Sequence, residues 1–370
     1  MVSDRELDER QATVYEIEGR QHVRASPGFT EAITRAHAAQ QRPRCVCVPG
    51  GLETYIAKLA DYYVIKRMPG TGHLHAASCP HFEPTANESG LRPLLGTAIR
   101  EDPSTGLIAL RLDFALSKSA VREPRRHPNV TEAGAARSRL PRLSLRGLLH
   151  HLWDQADLTR WHPGFEGKRS WATVWRHLQQ AAQQNIVGGV SLSSRLYVPE
   201  PFTPGDQDAI RLRRSACWAR TAMVLGGHQA LNLVIAEVKA IEPARYAFHA
   251  LVKQVPDIGF ALDGNLYKSL ARHFSEELGI WGASESVRMI MIASFGISSA
   301  GVPTISKLSL MPVTQQWLPV ENMDEQQLVE RLIHEGRAFK KILRYDLSRN
   351  SKAPCIILTD RGEAAMPIYS

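Results

Sequence analysis

The segment Arg44-Cys45-Val46-Cys47 and the stretch from Thr71 to Phe82 together hold three of the five cysteines and three of the fourteen histidines of a 370-residue chain. If these side chains share one ion, the polypeptide between them must close on itself, and nothing else in the sequence constrains the fold as strongly. Residues two apart in an extended segment project from one face, so Cys45 and Cys47 can present both sulfurs to one point. His75 and Cys79, four apart, fall on a common side of a helical turn. The pattern reads Cys-x-Cys, 27 residues, then His-x-x-x-Cys, which supplies three thiolates and one imidazole for a tetrahedral Zn2+. Donor softness favours zinc over magnesium or calcium. His73 and His81 compete with His75 as the fourth ligand, since Cys79-x-His81 also completes a set. Without a metal, Cys45 and Cys47 would alternate into a core as small apolar residues and the histidines would decorate a loop. With four protein ligands no coordination position stays open, so the expected site is structural, not catalytic.

The redox setting bears on that choice. The first twenty residues are charged and contain no apolar stretch that a secretion signal could use. The longest apolar run, Met289–Ile297, is about half the length that a membrane span needs. The expectation is a cytoplasmic protein without membrane contact, in which clustered thiols serve as ligands and not as a disulfide framework. A content of 44% hydrophobic and 22% charged residues makes the chain globular rather than disordered.

Pro- and Gly-rich stretches at 124–141 and 197–208 divide the chain into three blocks. Residues 1–120 form the expected zinc-binding, β-rich module. It closes on a turn at Asp102-Pro103 to Gly106 and a strand in which Ile108, Leu110, Leu112, Phe114 and Leu116 alternate. Residues 121–205 read as a helical block. Ser144 caps a helix with Leu145, Leu148, Leu149 and Leu152 on one face, and Ser170 caps another with Trp171, Val174, Trp175 and Leu178. Residues 206–370 mix strands with single helices, and "ARTAMVLGG" (219–227) reads as a strand there. The class is α+β, multidomain.

Lys and Arg outnumber Asp and Glu by 45 to 37, a net charge of +8. Between Lys118 and Arg176 twelve basic residues stand against five acidic ones, an excess of +7. Two amphipathic helices followed by a strand resemble a winged helix-turn-helix. Arg142, Arg146, Lys168, Arg169 and Arg176 are therefore the candidate nucleic-acid contacts, with Trp161 and Trp171 placed to stack on bases. DNA is the expected partner. Lys66 and Arg67 beside Gly70-Thr71-Gly72 offer a weaker phosphate site that lacks the P-loop pattern.

Candidate catalytic carboxylates are sparse. Glu237-Val238-Lys239 has the Glu-x-Lys spacing of metal-dependent nucleases, where a carboxylate holds the ion and a lysine polarises water or phosphate. Asp346, Asp360 and Glu363 could gather around magnesium. Neither set has the companion acid that such a site requires.

The motifs Cys45-Val-Cys47, "YVIKRMPGTGHLHAASC", "EDPSTGLIALRLDFALSK", "LSLRGLLHHLW", "KRSWATVWRHL", "YVPEPF" and "FKKILRYD…ILTD" resemble those of a bacterial group catalogued as a domain of unknown function and carried on plasmids and integrative elements. The resemblance spans nearly the whole chain. It implies a role in mobile genetic elements and supplies no activity. The family pattern has an acidic residue where Pro367 stands, so a nuclease-like segment in relatives would be incomplete here. The resulting expectation is a zinc-stabilised nucleic-acid-binding accessory protein, with a metal-dependent nuclease or a protein-interaction adaptor as alternatives.

Overall fold

The structure is a computed structural model that describes residues 13–24, 26–59, 62–119, 140–222, 224–225, 227–245, 247–345, 353–362 and 365–369. It is a mixed α+β protein with several sheets, as the periodicities predict. Most of the linker expected at 124–141 lies outside the described residues.

The N-terminal sheet orders its strands Arg20–Val23, Val14–Ile17, Arg44–Cys45, Leu52–Leu59 and Tyr62–Arg67. Helix Phe29–Ala38 lies on it because Phe29, Ala32, Ile33 and Ala36 recur at helical spacing on one face. These residues share a cluster with Tyr15, Ile17, Ile56, Cys45 and Cys79. The metal-type residues are thus part of this small core.

The two helices of the central block form where their caps and stripes place them, at Leu145–Gln155 and Trp171–Gln184. The Ser144 hydroxyl accepts from the Gly147 amide at 2.9 Å. The buried stripes do not stand alone. They join a cluster that runs from Leu94 to Tyr345 and takes in Leu233, Ile235, Ile290 and Ile292. After the second helix, Asn185–Val187 and Val190–Ser191 form a hairpin whose turn uses positive φ at Gly188 and Gly189. The hairpin is not free like a wing, because Asn185–Val187 also pairs in parallel with Ile108–Leu110.

The three blocks are interleaved by further pairings. Ser117–Ser119 pairs with His228–Ala230, and Arg160–Trp161 with Phe339–Lys341. The long alternating strand expected from Ile108 to Leu116 is correspondingly broken. Ile108–Leu110 serves one sheet, Leu112 bridges to Leu143, and the chain then leaves for a third partner. The strand read at 219–227 is also corrected: Ala219–Ala222 complete helix Gln207–Ala222, and among the described residues of this stretch only Val224–Leu225 is extended. Trp218 anchors that helix, its ring edge-on to Phe260 at 5.7 Å and Phe295 at 5.3 Å.

Those two phenylalanines sit inside a barrel. Its five strands are Asn232–Pro243, Phe248–Val252, Val255–Leu262, Arg288–Ile297 and Pro303–Val313. The first three form an antiparallel meander, and helices Gly264–His273 and Ser275–Ala283 follow. The fourth strand pairs antiparallel with the first and the fifth, and the fifth runs parallel to the third at Ala261↔Thr304, which closes the ring. Val234, Ala236, Val238, Ala250, Val252, Phe260 and Leu262 alternate inward, with Met289, Met291 and Phe295 opposite. A bulge at Val238/Ala240 bends the long first strand so that it can serve both sides of the closure.

Candidate metal centre

Cys45 is placed by two strand partners, Tyr15 on one side and Leu52 on the other, and is fully buried. Cys47 follows on the same face and is half-buried. The chain then turns through Gly50 and Gly51, both at positive φ, where the Gly51 amide donates to the Val48 carbonyl at 3.0 Å.

The other pair is delivered by two tight turns, not by the helical turn that the spacing predicts. A 3-10 turn, Gly72–Leu74, brings His75 out in extended conformation at φ −74° and ψ 150°. The Cys79 amide then bonds the Ala76 carbonyl at 2.8 Å. Pro80 explains the difference, since the residue before a proline is pushed out of the α region.

The four side chains converge. Cys45 Sγ is 3.7 Å from Cys79 Sγ, Cys47 Sγ is 3.3 Å from His75 Nδ1, and Cys79 Sγ is 3.7 Å from the same nitrogen. One donor atom from each of Cys45, Cys47, His75 and Cys79 lies within 4.8 Å of all the others, so the group could hold a metal ion. His73 is exposed on the 3-10 turn and stands outside this set. His81 is buried behind it: its Nε2 meets the Tyr15 hydroxyl at 2.7 Å, and its ring lies 5.3 Å from that of His75. Burial, and then His75 and Arg67, push the His81 imidazole down to about 3.

Three thiols this close cannot all ionise on their own. The hydrogen bond with Cys79 draws the Cys45 thiol down to about 4 against the cost of burial. The same bond, and then burial, raise Cys79, while burial raises Cys47. A cation sharing the space would let all three become thiolates.

The loop that leaves Cys79 is pinned from outside the N-terminal sheet. Buried Arg160 donates to the carbonyls of Pro80 at 3.2 Å and Phe82 at 2.9 Å. Lys340 Nζ reaches Glu83 at 2.6 Å and Asp154 at 3.0 Å, and all three line a cleft of about 510 Å³ together with Arg67, His73, His151 and Tyr345. Sequence reading missed Arg160 and Lys340, because their partners are about 80 and 257 residues away.

Other expected contacts are occupied by the fold. Arg169 donates to the carbonyls of Leu158, Gln316 and Arg160, and its guanidinium lies over the rings of Trp161 and Phe165. Arg146 pairs with Glu321 at 3.1 Å. Trp161 is 1% exposed and Trp171 9%, and the Trp171 indole donates to the Pro199 carbonyl, so both are core residues and not stacking platforms. Lys168 and Arg142 are exposed, with Arg176 half-exposed. Lys66 donates to Gln184, and Arg67 lies 3.8 Å from Glu83.

The Glu237 carboxylate is 3% exposed and is held by Lys253 at 2.6 Å, Arg288 at 3.0 Å and Gln254 at 3.4 Å, while Lys239 points to solvent from the bulge. Asp360 takes two bonds from Arg337 and one from the Ala338 amide. Asp346 and Glu363 lie outside the described residues. Among the described residues, the Cys45/Cys47/His75/Cys79 group is the cluster with metal-ligand geometry.

A family model described as a protein of unknown function, DUF1173, matches residues 15–370. The chain belongs to the DUF1173 family. The match takes in the whole Cys3His group of this DUF1173 protein, together with the barrel and the strands that carry Arg160 and Lys340. No curated protein and no solved structure matches the sequence. Among the described residues no helix is long and apolar enough to cross a membrane.

Proposed function

We propose that the protein is a zinc-stabilised nucleic-acid-binding accessory factor of mobile genetic elements, with no catalytic step of its own. The observation that carries this reading is the convergence of three sulfurs and one imidazole nitrogen within 4.8 Å. Such a donor set suits Zn2+, and four protein ligands leave the ion no vacancy for substrate. Its role is to fasten the Cys45 strand to the turns at 72–80 and so hold the small N-terminal core together. A charge of +8 favours an anionic partner, and DNA is the one we assign. The exposed cations carry that role, since Arg146 and Arg169 are engaged within the fold.

The test is fluorescence anisotropy with a labelled DNA oligonucleotide across a salt series, on zinc-loaded protein. Binding that weakens linearly in log affinity against log salt is expected. Plasmid incubated with Mg2+ or Mn2+ should remain uncut. Absence of binding at low salt overturns the nucleic-acid reading, and cleavage lost in Glu237→Ala overturns the non-catalytic one.

A further inference from the structure

The barrel has the connectivity of an OB-fold: a five-stranded Greek-key barrel with a three-strand meander, a helical segment between the third and fourth strands, and a parallel pairing of the third with the fifth. Topology alone assigns no function, so the surface must decide. One side of this barrel is covered. Leu233 and Ile235 of the first strand, Ile290 and Ile292 of the fourth, and Met311 and Val313 of the fifth face outward into the cluster built by Leu148, Leu149, Leu152 and Trp153. Helix Gln207–Ala222 adds Trp218 to the barrel's inner cluster.

The face of the second and third strands is left open. Burial alternates along the second strand from His249 and over Gly259–Leu262 of the third, and the outward positions His249, Leu251, Gly259 and Ala261 are part-exposed while Lys253 is exposed. Gly259 keeps this face flat. A Cβ there would meet His249 Cβ at 3.1 Å and Leu251 Cδ2 at 3.1 Å, so both side chains lie across the third strand. A glycine inside a strand marks a place of close approach.

The charges around the platform are asymmetric. Lys239, which the bulge turns to solvent beside Leu251's partner Ala240, makes no ion pair among the described residues. Lys253 and Arg288 both address one carboxylate, Glu237, while Arg211 and Arg214 address Asp257, Arg211 being shared with Asp208 at 3.7 Å. Glu242, opposite His249, is the opposing exposed charge. In OB-folds this face and its adjoining loops take oligonucleotides, with bases stacked on flat side chains and phosphates on flanking cations.

We infer that single-stranded nucleic acid binds across the second and third barrel strands, with bases on His249 and Leu251 and phosphate on Lys239. This rests on the nucleic-acid reading above and gives it a place and a strandedness. A duplex is too wide and stiff to lay its bases on such a platform, whereas a single strand exposes them.

The experiment compares a fluorescein-labelled 20-nucleotide dT strand with a 20-base-pair duplex by anisotropy, on wild type, Lys239→Glu and His249→Glu, with thermal melts of each protein. The expected result is at least tenfold tighter binding of the single strand, weakened about tenfold in both variants with melting unchanged. Lys239→Glu should also lower the salt slope by about one contact. If a variant unfolds, the milder Lys239→Gln and His249→Ala are read in its place. Equal or tighter duplex binding, or single-strand binding that survives both substitutions and is lost in Lys168→Glu, overturns the barrel site and leaves the nucleic-acid reading standing. Binding of neither probe overturns both.

Discussion

Lys340 Nζ lies 2.6 Å from the Glu83 carboxylate, joining a strand near the C-terminus to the loop that leaves Cys79. The same nitrogen lies 3.0 Å from Asp154 on the first central helix, so one ammonium ties three parts of the chain together. Burial opposes its charge, but Asp154 and Glu83 outweigh that cost and hold its pKa above the ordinary value.

Removing the cation takes from the Glu83 and Asp154 carboxylates the partner they share, and leaves Arg67, 3.8 Å from Glu83, as a nearby cation. Lys340→Met keeps the stem and is expected to lower stability by about 3–5 kcal/mol, as breaking a buried ion pair does. Urea denaturation measures it. The double variant Lys340→Met/Glu83→Gln should be less destabilised than the sum of the singles.

Arg169 separates a structural cation from a nucleic-acid contact. Arg169→Ala orphans three carbonyls and is expected to cost about 2–3 kcal/mol of stability. Oligonucleotide affinity per folded molecule should stay unchanged. Arg169→Lys should not restore stability, because one ammonium cannot reproduce the planar fork between the carbonyls and the rings of Trp161 and Phe165.

These two residues show where the sequence stops being legible. Apolar periodicity and caps place the helices at Leu145 and Trp171 and four of the five barrel strands, because those signals are local, whereas the third strand, Val255–Leu262, carries Pro256, Asp257 and Gly259 and does not read as one. The Cys3His group is equally local in its two halves, and chemistry joins them. Barrel closure through Ala261↔Thr304 leaves no such trace, nor does the pairing of Arg160–Trp161 with Phe339–Lys341. Arg169 reads as a surface charge until its long-range carbonyl partners are known. Pro80 is the local signal that could have replaced the expected helical turn at His75 and Cys79 by tight turns.

His150 supplies a pH dependence. It is buried, its Nδ1 has no hydrogen-bond partner, and burial, with Arg146 and Lys341 adding to it, lowers its pKa well below the ordinary value. Glu277 and Glu321 also line the space beside it, and the Tyr345 ring meets it edge-on. A folded pKa below the unfolded value means that the unfolded chain binds the extra proton. Stability is therefore full above about pH 6.5 and falls as the pH drops below it, by up to about 1.4 kcal/mol per pH unit for this group. Denaturation at pH 7.5 and 5.5 should show a smaller loss in His150→Leu than in wild type.

Gly106 closes the turn before Ile108 at φ +73°, and a Cβ there would collide with Ala57 Cβ. Gly106→Ala should lower stability by about 1–3 kcal/mol, through the left-handed backbone and the crowding together. Thermal melting reads the change, and Gly301→Ala, at φ +76° with open space around its Cβ, separates the backbone part from the contact.

X-ray absorption at the zinc edge, with elemental analysis of the purified chain, tests the metal centre most directly. The account predicts one zinc per chain, bound by three sulfurs at about 2.3 Å and one nitrogen at about 2.0 Å. It also predicts loss of the ion in Cys47→Ser and retention in Cys217→Ser. A chain that carries no zinc and keeps its stability in chelator, or a zinc shell dominated by oxygen, would contradict it.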